Sequence, residues 1–114
     1  MELIHSTTAV YIMSNRKHGT LYTGVTGQFL QRIVQHREGL MDGFTKRYRL
    51  RRLVWFEMHD SILTAIPREK SIKKYPRDWK INLIERQNPH WEDLFPMLIR
   101  ENGPLSHLQL LDYK

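Results

Sequence analysis

Two short runs near the start of the chain place the strongest limit on its fold. "TAVYIM" (8–13) and "TLYTGV" (20–25) are rich in β-branched and aromatic residues, which favour strands. The polar segment "SNRKHG" lies between them, ends in glycine and suits a hairpin loop. The pattern therefore predicts an antiparallel hairpin. Because side chains alternate along a strand, Tyr11 and Tyr22 share one face of it if the register allows.

A helix is predicted directly after the hairpin. Thr26 is a candidate N-cap for "GQFLQRIVQHRE", and Gly39 supplies a C-terminal stop. One face of this helix carries an apolar stripe at helical spacing, formed by Leu30, Ile33 and Val34. Arg32 and His36 are four residues apart and are therefore predicted to lie together on a second, polar face.

The second half of the chain predicts one more strand and further helices. "RLVWFEM" (52–58) reads as a strand, and Asp60 or Ser61 can cap the helix that follows it. Pro67 lies inside that helix and predicts a kink or a break, because proline lacks the N–H that the helix needs. A further helix starts near Pro76 and ends at Asn88-Pro89, and a short one is predicted within "HWEDLFPML". Four aromatic residues of this half are predicted to be core: Trp55, Phe56, Trp79 and Trp91.

Length and composition indicate one domain of ordinary globular type. The chain has 114 residues, so we expect a single domain over 1–114, with a core at about 8–95 and a C-terminal tail at about 96–114. It contains no cysteine, which excludes a disulfide framework and thiolate zinc sites. No apolar run approaches the roughly 20 residues of a membrane span, and no signal peptide is apparent. The expected location is the cytoplasm.

The charge distribution favours a polyanionic partner. The formal net charge is +6, and the excess of Lys and Arg lies before residue 85. A basic body attracts nucleic acid, since each neutralised phosphate releases counterions. From net charge alone, a solubilising surface is an equally good explanation.

The order of these elements resembles the GIY-YIG nuclease family, especially its small stand-alone bacterial members, and is related to the nuclease domain of the excision-repair C subunit. Ala9-Val10-Tyr11 matches the first motif and Tyr22-Thr23-Gly24 the second, and "VTGQFLQRIVQHREG" is similar to the helix that carries the family's arginine. Further similar segments are "GFTKRYRLRRLVWFE", "REKSIKK" and "NPHWEDL". Ala9 stands where the family has glycine, Thr23 where it has isoleucine, and Pro67 inside the helix of the candidate glutamate.

The resemblance implies a fold and a chemistry. The fold is α/β, with a three-stranded, mainly antiparallel sheet flanked by helices. The activity is metal-dependent hydrolysis of phosphodiester bonds in DNA, in repair or recombination, with RNA not excluded. Glu69 would hold a single Mg²⁺ or Mn²⁺ ion. The implied catalytic residues are Tyr11, Tyr22, Arg32, His36 and Glu69.

Each implied residue is assigned a task. Tyr11 would act as, or orient, the general base. A phenol has a pKa of about 10, so this requires positive neighbours to lower the pKa or a water on the metal to act instead. Arg32 would hold the scissile phosphate through two hydrogen bonds. His36 would donate to a phosphate oxygen or relay a proton, and Tyr22 would position water or phosphate.

Basic segments supply the predicted contacts with nucleic acid. These residues are Lys46, Arg47, Arg49, Lys70, Lys73, Lys74 and Asn88. The implied catalytic residues also have plainer explanations. A strand tyrosine usually packs in the core, Arg32 and His36 can be solvated, and Glu69 can be a surface acid that forms an ion pair. The alternative function is a non-catalytic nucleic-acid-binding module on the same fold. A protein-interaction adaptor, a protein partner and a homodimer also stay open.

Overall fold

The computed structural model describes residues 7–40 and 43–99. Within these residues the chain forms two strands, two helices, a third strand and three further helices, in that order. The strands are β1 (Thr8–Ser14), β2 (Leu21–Thr26) and β3 (Arg52–His59). The helices are α1 (Phe29–Arg37), α2 (Phe44–Arg47), α3 (Ile62–Lys73), α4 (Arg77–Gln87) and α5 (Phe95–Ile99). The predicted tail, 96–114, lies outside the described residues from position 100 onward.

The three strands form one antiparallel sheet with β1 in the middle. The strand order is β2-β1-β3, and β1 is antiparallel to both neighbours. This confirms the predicted fold class and the hairpin formed by the first two strands. Alternate residues of β1 enter opposite cores: Tyr11 and Met13 enter one, Val10 and Ile12 the other. The sheet is therefore covered on both faces, and its central strand is buried throughout.

Each face of the sheet has its own layer of helices. Phe29, Leu30 and Ile33 of α1 pack in the core that contains Tyr11. The opposite core takes Ala65 and Ile72 from α3, Ile84 from α4, and Trp55 and Trp91. The predicted burial of Trp55 and Trp91 is confirmed, and Phe56 is partly buried against the first core.

The predicted helix caps hold in part. Ser61 caps α3, because its side-chain oxygen accepts a hydrogen bond from the backbone N–H of Leu63 at 3.0 Å. Thr26 accepts one from the N–H of Gln28, although the N-cap position of α1 is Gln28 itself. Gly39 follows α1 with a φ of +69°, which favours glycine and ends the helix as predicted.

The predicted break at Pro67 is wrong. The helix α3 runs from Ile62 to Lys73 with Pro67 inside it. Pro67 lies on the exposed side, and Leu63, whose carbonyl loses its helical partner, is 79% exposed. Water can therefore bond that carbonyl, which removes most of the penalty of the missing N–H.

The predicted burial of Trp79 is also wrong, because this side chain is 59% exposed. The inward face of α4 is formed instead by Ile81 and Ile84, with Asn88 directly after the helix. These residues follow each other at three- and four-residue spacing, which defines one face of a helix. Trp79 lies away from that face.

Candidate active site

Tyr11 occupies the centre of the candidate site. It is fully buried in the middle strand, and its partner on β2 is Gly24. Tyr22 lies two residues before Gly24 on β2, so both phenols project from the same face of the sheet. Their ring centroids are 6.3 Å apart, and the ring centroid of Phe29 lies 5.9 Å from that of Tyr11. The shared face predicted for the two tyrosines is thereby confirmed.

Gly24 leaves the space that the Tyr11 ring fills. A Cβ atom at position 24 would lie 2.6 Å from both the Cζ and the hydroxyl oxygen of Tyr11. Real Cβ atoms do not approach so closely, so any side chain here must displace the phenol. The second motif therefore needs its glycine for packing against the first motif.

A pair of alanine substitutions tests this contact. Gly24→Ala should lower the free energy of unfolding by about 1–3 kcal/mol, since overpacking forces the phenol out of place. Gly27→Ala is the matched control, because a Cβ there meets no atom within 4 Å. It should change stability by less than about 0.5 kcal/mol. Urea unfolding of both variants gives the comparison, and equal stabilities would show that the ring adapts freely.

Helix α1 brings a histidine and an arginine to the phenol. The Tyr11 hydroxyl and His36 Nε2 form a buried hydrogen bond of 3.0 Å. The imidazole also packs against both phenol rings, at 5.6 Å from Tyr11 and 5.7 Å from Tyr22. Arg32, one turn earlier, is half-buried and interacts with the Tyr11 hydroxyl by charge and by hydrogen bonding. The polar face predicted for α1 thus points inward, and His36 is only 3% exposed.

The electrostatics of the pair favour two neutral side chains. Burial raises the pKa of Tyr11 above that of a free phenol, and the nearby Tyr22 adds to this. Arg32 opposes the shift without reversing it. Burial, helped by Arg32, lowers the pKa of His36 to about 4. At neutral pH the site therefore holds a protonated phenol next to a neutral imidazole, and the lowered phenol pKa that a simple tyrosine base requires is not present.

The lowered pKa of His36 should make the domain less stable in acid. An unfolded histidine takes up its proton near pH 6.5, whereas folded His36 resists protonation until about pH 4. The unfolded state thus binds more protons between these values, and stability falls as the pH drops through that window. The loss contributed by this residue approaches about 3 kcal/mol. Unfolding by urea at pH 7 and pH 4.5 measures it.

His36→Gln is the control for this pH effect. The variant should have a smaller loss of stability between pH 7 and pH 4.5 than the parent protein, because glutamine does not titrate. An identical loss in both proteins would assign the acid sensitivity to other groups and contradict the buried neutral imidazole.

Helix α3 brings the candidate metal ligand to the site. Glu69 is only 6% exposed, and its charge contributes to raising the pKa of Tyr11. Lys73, one turn further, forms an ion pair with Glu69 of 2.6 Å between Nζ and Oε2. Within residues 7–40 and 43–99, no group of three or more acidic or histidine side chains is arranged to hold a metal. A divalent ion bound to the Glu69 carboxylate would have to displace Lys73.

An aromatic rim and basic side chains lie next to Tyr22. Phe44, in α2, stacks on Tyr22 with 6.4 Å between ring centroids, and Tyr48 packs on Phe44 at 4.7 Å. This places α2 and the residue after it at the edge of the site. The predicted basic residues of this segment are exposed: Lys46, Arg47 and Arg49. The aromatic rim and these three cations therefore belong to one short segment of the chain, residues 44–49.

The remaining predicted contacts divide into two groups. Lys70 and Lys73 are exposed on α3, and Lys74 is exposed directly after it. Asn88 is 5% exposed, its amide N–H groups donate to the carbonyls of Val54 and Glu92, and its side-chain oxygen accepts from the N–H of Glu92. These bonds connect the end of α4 to β3. The predicted contact between Asn88 and nucleic acid is therefore contradicted, because the amide is buried and already bonded to backbone.

Sequence reasoning missed part of the surroundings of the site. It gave no role to Phe44 and Tyr48, which form the aromatic rim. A phenylalanine and a tyrosine four residues apart, at helical spacing, were the available signal. It also gave no packing role to Phe29, whose place at the start of α1 is fixed by a hydrogen bond from its backbone N–H to the Thr7 carbonyl.

The three-stranded antiparallel sheet with helices on its faces is consistent with a GIY-YIG domain. The family model for the GIY-YIG catalytic domain matches residues 8–82, and the chain belongs to this family. The chain is 40% identical over 68 residues to a UPF0213 protein of Staphylococcus saprophyticus. The aligned region covers 60% of this chain and 83% of the Staphylococcus saprophyticus protein. The chain is 42% identical over 71 residues to a UPF0213 protein of Syntrophus aciditrophicus, covering 61% and 80%.

These comparisons fix the function at a coarse level. A GIY-YIG catalytic domain implies a nuclease-type function with nucleic acid as the substrate, and such nucleases generally use divalent metal ions. The chain has no significant match among solved structures. The described part of the chain also contains no helix long and apolar enough to cross a membrane.

Proposed function

We propose that this protein is an endonuclease that hydrolyses phosphodiester bonds in DNA with the help of one divalent metal ion. The buried hydrogen bond between Tyr11 and His36, 3.0 Å long, carries the proposal. A phenol and a neutral imidazole in this contact can move a proton away from an attacking water. A purely structural tyrosine has no need of a buried, neutral histidine whose second ring nitrogen, Nδ1, finds no partner within the described residues.

The proton relay works in one direction. Tyr11 holds its proton at neutral pH, so it cannot itself start as a phenolate. As a water attacks phosphorus, its proton passes to the Tyr11 hydroxyl while the phenolic proton passes to His36 Nε2. His36 can accept it because the ring is neutral. The relay requires the tautomer of His36 in which Nε2 carries no hydrogen.

Arg32 prepares both the substrate and the relay. Its guanidinium can bind two oxygens of a phosphate in parallel hydrogen bonds. In the free protein the positive charge of Arg32 helps to keep the pKa of His36 low. A bound phosphate offsets that charge, so binding of the substrate makes His36 a better proton acceptor at the time it is needed.

Glu69 would hold the metal ion, which when bound neutralises charge that builds on the phosphoryl oxygens. Mg²⁺ and Mn²⁺ are the proposed ions, because a lone carboxylate with water ligands suits them. Lys73 now neutralises this carboxylate, so metal and Lys73 compete for it. A lysine released from Glu69 becomes available to a phosphate.

The same ion pair supports the second candidate function. If Lys73 stays on Glu69, the carboxylate does not hold a metal, and the basic face serves only to bind nucleic acid. Both functions give salt-sensitive binding, since both neutralise phosphates. Cleavage alone separates them.

The experiment is a cleavage assay with the purified protein. Duplex, nicked, branched and single-stranded DNA, with matching RNA substrates, are incubated with Mg²⁺, Mn²⁺ or EDTA. We expect cleavage of DNA that depends on metal, with a preference for damaged, branched or single-stranded sites as in repair or recombination. Binding without cleavage on every substrate would favour the binding module, and cleavage of RNA alone would contradict the assignment to DNA.

A further inference from the structure

The surface of α4 carries a large aromatic side chain that the sheet does not need. Trp79 is 59% exposed, whereas Trp55 and Trp91 are 2% and 0% exposed. Tyr75 packs against its ring edge to face, with 5.4 Å between centroids and an interplanar angle of 72°. The contact supports the tryptophan from one side and leaves much of its ring open to solvent.

Trp79 lines a groove between α3 and α4 that is aromatic and basic. We call it the α3–α4 groove, and its lining residues are Arg68, Tyr75, Trp79, Asn82, Leu83 and Arg86. Arg68 fixes its wall, because the guanidinium binds Glu57 at 3.1 Å and reaches the Tyr75 hydroxyl at 3.4 Å. Arg86 is exposed and has no ion-pair partner among the residues that the structure describes. The groove therefore combines a held aromatic platform with an unpaired positive charge.

The groove and the candidate active site lie on opposite flanks of one helix. Ala65 and Ile72 of α3 face the sheet. At 3.6 residues per turn, Glu69 then lies on one flank of α3 and Arg68 on the other. Exposed lysines cover the outer surface that connects the two flanks: Lys70 and Lys73 on α3, and Lys74 directly after it. A helix is about 10–12 Å wide, so a few nucleotides reach across it.

We propose that the α3–α4 groove binds an unpaired base of a nucleic-acid strand, which stacks on Trp79 while its phosphates follow the lysines across α3. The inference rests on the proposed function, because it supplies the substrate class of that same site. Stacking requires a base that is free of its pair, so the protein would prefer strands with unpaired nucleotides over intact duplex. Arg86 and the lysines supply the charge complementarity, and Asn82 supplies a group able to hydrogen-bond a base edge.

Tryptophan fluorescence reports this contact without any cleavage. Trp79 is the one exposed tryptophan of the three in the chain, so stacking of a base should quench mainly its emission. A short oligothymidylate, the matching oligouridylate, a blunt duplex and heparin are titrated without metal. We expect quenching by the two single strands, little quenching by the duplex, and none by heparin, which has charge but no bases. Equal quenching by heparin would overturn the proposal, because charge alone would then explain it.

Substitutions at Trp79 separate stacking from folding. Trp79→Ala should weaken binding of the single strand by about tenfold, equivalent to about 1.4 kcal/mol, whereas Trp79→Phe should keep much of the affinity and lose the quenching. Leu40→Ala, which removes an exposed apolar side chain outside α3 and α4, is the matched control and should bind like the parent. Unchanged affinity of Trp79→Ala for the single strand would refute the stacking contact. Loss of self-association as the only effect of that variant would assign the groove to a second copy of the chain instead.

The two proposals fail in different ways. If Tyr11 and Glu69 variants bind the oligonucleotide with quenching but the parent never cleaves, base stacking in the α3–α4 groove is supported and the nuclease proposal is wrong. If the parent cleaves while Trp79→Ala binds as the parent does, the nuclease proposal stands and the groove falls.

Discussion

Replacement of Tyr11 by phenylalanine is expected to reduce DNA cleavage by about 10²–10⁴-fold while the domain stays folded. The substitution removes only the hydroxyl, so the ring still fills the space beside Gly24 and Phe29. It also deprives His36 Nε2 of its buried partner, which costs about 1 kcal/mol and lowers the melting temperature by about 4–8 °C. Single-turnover cleavage at saturating protein, together with thermal unfolding, measures both effects.

Ser14→Ala is the matched control for that loss. Ser14 also carries a buried hydroxyl on β1, which donates a hydrogen bond to the Arg16 carbonyl, but it lies at the end of the strand, three residues from Tyr11. Its variant should lose some stability and cleave as the parent protein does. Cleavage by Tyr11→Phe within a factor of a few of the parent would remove Tyr11 from the proton relay, whatever its place in the core.

Replacement of Glu69 by alanine should abolish metal-dependent cleavage and leave DNA binding without metal unchanged or slightly tighter. The carboxylate supplies charge for the metal, which is worth several kcal/mol in the transition state. Without metal the same carboxylate repels phosphate, so its removal cannot weaken binding through charge. Arg32→Ala should differ, because loss of a phosphate clamp weakens binding and slows cleavage together.

The measurement pairs DNA affinity in EDTA with cleavage in Mg²⁺ for each variant. Glu92→Gln, at an exposed acid that makes no side-chain bond with the described residues, controls for the change in net charge. If Glu69→Ala cleaves as well as the parent, the proposed metal ligand is wrong and the binding-module function takes its place. A much lower melting temperature for Glu69→Ala would show that its ion pair with Lys73 is structural.

The fold was largely predictable from the sequence because its signals are local. The strands of the hairpin are marked by β-branched and aromatic residues, and the end of α1 by Gly39. The register of the hairpin depends on contacts across strands, which a pattern along one strand does not encode. The pairing of Tyr11 with Gly24 became visible only with the sheet assembled.

The environment of the site was harder to predict, because burial is a property of the assembled layers. His36 and Arg32 read as one polar face of a helix, and the sequence did not show that this face points at Tyr11. Trp79 read as core because a tryptophan usually is, whereas the inward stripe of α4 follows Ile81 and Ile84. Asn88 was predicted to be a polar contact at the surface, although its side-chain amide donates a hydrogen bond to the Val54 carbonyl in β3.

The position of Tyr11 on the middle strand affects how the activity can be lost. Backbone amides of β1 bond to a neighbour on each side, so the strand can exchange its hydrogens with solvent only when the whole sheet opens. Arg32 and His36 come from α1 and Glu69 from α3, and helices can fray or shift at lower free energy than the sheet. Local opening of a helix would therefore abolish the activity, because it moves Arg32 or Glu69 away from Tyr11 while Tyr11 stays in place. The activity would return when the helix closes again, without refolding of the sheet.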